Sequence, residues 1–223
     1  MAFMESAIVV YLRALYYPDG FSFPLKMIDS NIAVTEFFRE IATIIMLAVA
    51  GIIAGKKSTE KFAFFILCFA LWDIFYYVFL KVLLNWPDSF LTWDILFMVP
   101  VTWVGPVIAP VINSLTMIML ATSIIYFSQK KANAKLSISI WILLITGSFI
   151  IIFAYTQDYM QYMTQKFSLK EIFGIANNKI VLDYACAFIP KHFNWFIFGI
   201  GELMHLAAIF IFSSSMQKKS LSQ

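Results

Sequence analysis

The residues of this sequence that could do chemistry are ionisable side chains set inside long apolar stretches. Asp73, Glu202 and His205 stand out first. Each lies among aliphatic and aromatic residues, where a charge is costly and is kept for a structural or functional reason. Glu202 and His205 are three apart, so on a helix they share a face. Di-iron carboxylate bundles use that Glu-x-x-His spacing, with carboxylates from other helices completing the site. Here Glu36, Glu40 or Asp73 would complete it. Glu202, His205, Glu40 and Asp73 would then form a hard, oxygen-rich shell for iron, manganese or zinc. Such bundles carry two Glu-x-x-His motifs, and this chain has one. A proton-handling site asks for less, namely one buried carboxylate with a histidine or tyrosine nearby.

Further polar residues share helical faces. Glu36, Arg39 and Glu40 follow at spacings of three and four. Asp73, Tyr77 and Lys81 follow at steps of four, with Tyr76 beside them, and Asp94 lies next to Trp93. For a catalytic role Asp73, Glu202 and His205 are the first choices, and Glu40, Tyr77 and Asp94 the second. Each group also has a plainer reading. Glu36, Arg39 and Glu40 would make a salt-bridged helix start in the headgroup region, and Lys81 would snorkel outward. Asp73, Glu202 and His205 would tie helices together by hydrogen bonds.

Other chemistries are excluded. His192 and His205 are thirteen residues apart. That is roughly 20 Å of helical rise, too far for both to ligate one haem iron in one chain. No Walker loop, dinucleotide glycine pattern or Gly-x-Ser-x-Gly elbow occurs. Cys68 falls inside an apolar run and Cys186 in a connection expected near the other membrane face, which argues against a disulfide. With no cluster of cysteines, an iron–sulfur or structural zinc site is excluded.

The elements that must position these residues are membrane spans. The chain is 61% hydrophobic and 13% charged, where soluble domains run nearer a quarter charged. Its mean hydropathy is +0.83. Five stretches, about 31–55, 62–86, 105–127, 136–155 and 193–215, are long enough to cross a hydrocarbon core of ~30 Å. The fold class is therefore an all-α polytopic transmembrane helical bundle, one integral membrane domain over 1–223, with short interfacial helices. The first, 5–17, is too short to span and stops at Pro18-Asp19-Gly20. The second, 89–99, precedes an extended entry containing Pro100, Pro106 and Pro110. The third region, 157–190, makes one or two amphipathic helices on the outer surface.

Lysines give the orientation. Lys56, Lys57 and Lys61, then Lys130, Lys131 and Lys135, then Lys218 and Lys219 face Glu60 as the single acid in those regions. The positive-inside rule puts these regions in the cytoplasm, with the C-terminus inside and the N-terminus outside. Counted from those lysines, Asp73 lies roughly 18 Å from Lys61, and Glu202 roughly 24 Å from Lys218. The ionisable residues are thus expected to share a layer in the outer half. A net charge of +3 without a basic soluble module gives no nucleic-acid signal.

The stretch Leu71-Trp-Asp-Ile-Phe-Tyr-Tyr77, continuing through Leu91-Thr-Trp-Asp-Ile-Leu-Phe97 to Trp103-Val-Gly-Pro106 and Ala109-Pro110, resembles uncharacterised polytopic membrane proteins of bacteria. The resemblance implies a bacterial inner membrane and assigns no role to any residue. Three functions fit. One is a membrane-embedded enzyme or cofactor-handling protein taking a hydrophobic or small-molecule substrate from the lipid. Another is a proton- or ion-coupled small transporter. The third is an accessory or assembly subunit whose charged face meets a partner subunit.

Overall fold

The computed structural model describes residues 1–98, 100–130, 134–174 and 178–221. Lys131 of the lysine-rich loop, Val99 at the end of the outer segment and residues 175–177 of the long outer connection lie outside the described residues. Among the described residues the order is α1 (Ala2–Tyr16), α2 (Ser30–Ala54), α3 (Ser58–Leu84), β1 (Trp93–Phe97), β2 (Trp103–Pro106), α4 (Ile108–Lys130), α5 (Ile138–Thr164), α6 (Leu169–Phe173), α7 (Lys179–Cys186) and α8 (Trp195–Leu221). Five of these helices, α2, α3, α4, α5 and α8, are long and apolar enough to cross a membrane. The architecture is that of an all-α polytopic bundle.

Helix boundaries move for local reasons. α3 starts at Ser58, because the Glu60 carboxylate accepts the Lys56 and Lys57 N–H groups at 3.0 and 3.3 Å and closes the turn. At its other end Lys81 Nζ donates to the Asn85 and Pro87 carbonyls at 3.2 and 3.0 Å. Lys81 thus caps the chain leaving α3. α5 runs on to Thr164, past the expected end at 155. No glycine or proline interrupts that extension, and Tyr155, Tyr159 and Met163 continue a buried stripe at steps of four.

The segment 89–98, expected as part of a short helix, is not helical. Trp93–Phe97 and Trp103–Pro106 form an antiparallel hairpin, pairing Trp93 with Pro106, Asp94 with Gly105 and Ile95 with Val104 before a bulge. A short isolated helix carries a nucleation cost, whereas aromatic and β-branched residues suit a paired strand. The hairpin supplies the backbone partners that a membrane protein must find internally. Pro110 sits in the first turn of α4, where its missing N–H goes unused.

By contacts the chain divides into two compact units. The first comprises Met1–Thr43, Phe75–Pro110 and Ala154–Phe193. Its apolar core joins Val104 of β2, Tyr159 and Met163 of α5, Ile172, Val181 and Ala185 of the short helices, and Phe188. Within it α1 is built inside out. Glu5, Ser6 and Arg13 are buried, while Met4, Tyr11 and Leu15 are exposed. A helix that turns polar residues inward and apolar ones outward is adapted to lipid rather than water. The segment 5–17, expected as an interfacial or partly inserted helix, falls in α1, which is packed on its polar face.

The second unit comprises Ile44–Ile74, Val111–Phe153 and Asn194–Gln223. Ala63 and Ile66 of α3, Leu120, Ala121 and Ile124 of α4, Leu144 of α5 and Phe212 of α8 meet in its core. Lipid is as apolar as these side chains, so van der Waals fit must hold the helices together. Alanines at contact points let the backbones approach.

Between α5 and α6, the Glu171 carboxylate accepts the N–H and O–H of Ser168 at 2.9 and 2.6 Å. These bonds hold Glu171 below the usual carboxylate range. A lowered folded value stabilises above the unfolded glutamate range, and that contribution is lost as pH falls through the lowered value. The backbone amides of α6 should therefore lose hydrogen-exchange protection between pH ~5 and ~3, the carboxylate range. Glu171→Gln should abolish that pH dependence. Protection that is flat across the range in the unsubstituted protein would refute it.

Candidate functional site

The sequence contains two arginines among its sixteen basic residues. Both sit in the polar core of the first unit. Guanidinium is the cation of choice for buried carboxylates, because its fork can serve two oxygens at once. Arg39 on α2 donates from Nε to Glu36 Oε2 at 2.7 Å, and its Nη1 pairs with the Glu5 carboxylate of α1. The other Glu5 oxygen accepts the hydroxyl of Thr43. Ser6 extends the α1 contact by donating to the Tyr76 carbonyl of α3 at 3.2 Å.

Arg13, one face along α1, lies over the Trp86 ring at 3.8 Å and the Phe21 ring at 4.8 Å. Burial pushes the Arg13 guanidinium down from its ordinary value, and the negative charge of Asp94 works against that shift. Asp94 projects inward from β1, only 3% exposed, and accepts the Tyr77 hydroxyl at 3.1 Å. Glu40 accepts the backbone N–H of Met98 at 3.2 Å. Glu40, Tyr77 and Asp94 therefore all fall in the first unit. Arg39 and Glu36 make the salt bridge that the plainer reading of this helix start expects, and both Glu36 and Glu40 are buried.

Asp73, Glu202 and His205 all fall in the second unit. Asp73 on α3 is half-buried and accepts the hydroxyl of Ser114 on α4 at 2.8 Å. His205 on α8 reaches α5, with Nε2 3.1 Å from the Leu144 carbonyl and 3.3 Å from Ser148 Oγ. A carbonyl can only accept, so Nε2 carries the ring hydrogen. Ser148 in turn donates to the same carbonyl at 2.9 Å.

Glu202, one helical turn before His205, is 6% exposed. Thr116 of α4 lies beside it, but neither carboxyl oxygen makes a hydrogen bond of normal geometry. The face that carries Glu202 is the packing stripe of α8, continued by Phe198, Gly201, His205, Ala208, Ile209 and Phe212. The spacing of this stripe forces the acid into the interior along with its apolar neighbours.

Close packing holds the imidazole. A Cβ on Gly147 of α5 would lie 2.7 Å from His205 Cδ2, and one on Gly201 would lie 2.8 Å from the Gly147 carbonyl oxygen. Only glycine at both positions permits this crossing of α5 and α8.

No hydrogen bond joins Asp73, Glu202 and His205; Asp73 closes on a hydroxyl of α4 and His205 on a carbonyl of α5, while the Glu202 carboxyl lies beside Thr116 of α4. No three His, Cys, Asp or Glu side chains among the described residues are placed to hold one metal ion. Of the expected shell, Asp73, Glu202 and His205 lie in the second unit and Glu40 in the first, and the Glu-x-x-His spacing puts Glu202 and His205 on one face of α8.

Several partners had no periodic signal in the sequence. Glu5 and Arg13 sit in a helix too short to span, and Ser114, Thr116 and Ser148 are ordinary residues of apolar helices. The available signal was the choice of arginine at 13 and 39 in a chain whose other basic residues are all lysine.

Five apolar helices and an interior lined by buried charges define a class: an integral, multi-pass, all-α membrane protein. Comparison with protein-family models, with curated proteins and with solved structures finds no match.

Proposed function

We propose that this protein is a proton-coupled carrier of a small solute, with Glu202 as its proton-binding group. The observation that carries this reading is the buried Glu202 carboxyl with no hydrogen-bond partner. In an apolar interior such a group is tolerated as the neutral acid or with a bound cation, and a proton needs no further ligand. Asp73 and His205 close on partners from different helices, which favours proton handling over an enzyme, whose groups must converge on one reacting atom.

The bacterial inner membrane and the orientation belong to the same proposal. Eight lysines against Glu60, Asp73 and Glu202 in the sequence of the second unit support a cytoplasmic side there. The N-terminus is then outside.

Proteoliposomes with an internal pH dye and an imposed membrane potential test the carrier. Amino acids, sugars, organic acids and monovalent cations are added in turn. One class should trigger proton movement, and Glu202→Gln should reduce it to the level of protein-free vesicles. Flux indifferent to Glu202→Gln, or no solute-dependent proton movement across the panel, would sink the reading.

A further inference from the structure

We infer that Glu202 and His205 act as one proton-sharing pair, in which Nδ1 of His205 accepts the acid proton of Glu202. The inference rests on the proton-coupled reading and deepens it. Both observed hydrogen bonds of the His205 ring are made through Nε2, which donates toward Leu144 and Ser148 of α5. The tautomer is therefore fixed with its hydrogen on Nε2, leaving Nδ1 as a lone-pair acceptor. Glu202 lies three residues earlier on the same face, at a spacing that brings side chains within ~5–6 Å at Cβ. Both residues are buried, and neither carboxyl oxygen is otherwise engaged.

Leu144, Gly147, Ser148 and Ile151 of α5 and Thr116 of α4 pack against this turn of α8, and none of these side chains titrates. In the transfer, the O–H bond of Glu202 breaks and an N–H bond forms at Nδ1. The products are a carboxylate and an imidazolium that still donates from Nε2 to the Leu144 carbonyl. The reverse step returns the proton, so no co-reactant is needed.

The fixed ring explains the close crossing at Gly147 and Gly201. The imidazole lies against the α5 backbone and cannot swing its Nε2 toward Glu202. Movement is confined to the longer, flexible glutamate.

His192 and His205 are the two histidines, so His192→Gln leaves a single reporter. Solid-state nitrogen-15 spectra of that protein in lipid, recorded across pH, read the pair. At neutral pH His205 should show the Nε2-protonated tautomer. Its titration midpoint should fall by about one pH unit or more in Glu202→Gln, because the negative partner is gone. An unmoved midpoint, or an Nδ1-protonated tautomer, overturns the pair. Where Glu202→Gln does not fold, the protein with Glu202 intact gives a second reading. Two linked steps in the His205 curve support the pair, and a single simple step overturns it. Persistent coupling in vesicles that move no protons would count against the carrier alone.

Discussion

Arg39→Ala lowers the stability of the reconstituted protein by about 3 kcal/mol or more, the cost of breaking a buried ion pair from one side. The figure follows from what is left behind. Glu5 and Glu36 are both buried, and Arg39 bonds both. Without it two carboxylates face each other in an apolar setting, with Thr43 as the remaining donor to Glu5. Part of the Arg39 side chain is accessible, 21% by area, which moderates the effect. Arg39→Lys should recover less than half of the loss, because one ammonium cannot match the fork that spans two partners. The triple substitution Glu5→Gln, Glu36→Gln, Arg39→Gln should be milder than Arg39→Ala, since no charge is left uncompensated. Denaturant unfolding in mixed micelles measures all three. A loss under 1 kcal/mol for Arg39→Ala would show that the pairs are solvated. The same substitution should also expose α1. A cysteine at Ser6, fully buried in the folded protein, should then react with a membrane-impermeant thiol reagent.

Gly201→Leu should cost a comparable amount for a steric reason. A Cβ there meets Ile151 Cγ1 at 2.6 Å and the Gly147 carbonyl oxygen at 2.8 Å. The isoleucine can turn aside, but the carbonyl belongs to the α5 backbone, so the helices must separate. Overpacking of this kind costs ~1–3 kcal/mol, and a leucine lies at the upper end. Separation also removes the His205 contacts to Leu144 and Ser148, so the nitrogen-15 spectrum should lose its fixed tautomer. The control lies two residues earlier. A Cβ on Gly199 meets nothing within 4 Å. Gly199→Ala should therefore be neutral or stabilising by up to ~1 kcal/mol through helix propensity. Equal destabilisation at 199 and 201 would remove the crossing as the cause.

The spans were legible because a bilayer imposes one length and one chemistry on every crossing. An uninterrupted apolar run can satisfy both only as a helix. The segment Trp93–Phe97 carried no such constraint. Five residues with mixed aromatic and aliphatic character suit either element, and the deciding partner, Trp103–Pro106, is set by pairing rather than period. The polar face Glu36–Arg39–Glu40 was readable from its spacing, whereas its partner Glu5 was not. Glu5 and Arg39 are separated by 34 positions, and no periodicity links them. The inward acids and the histidine of the second unit were legible for cost alone. The partners of Asp73 and His205 are hydroxyls and a backbone carbonyl, which composition does not mark.

The inverted character of α1 has a consequence for biogenesis. Its anchors all lie downstream: Arg39 and Thr43 on α2, Tyr76 on α3, then Trp86 and Asp94. A chain made from its N-terminus presents α1 before these anchors, with Glu5 and Arg13 unmatched. The helix has nowhere to dock until α2 has been delivered, and its last counter-charge arrives with the hairpin. α1 is thus made before its anchors yet is among the last elements to settle, and its seating reports that the following eighty or so residues (through Asp94) have reached their places.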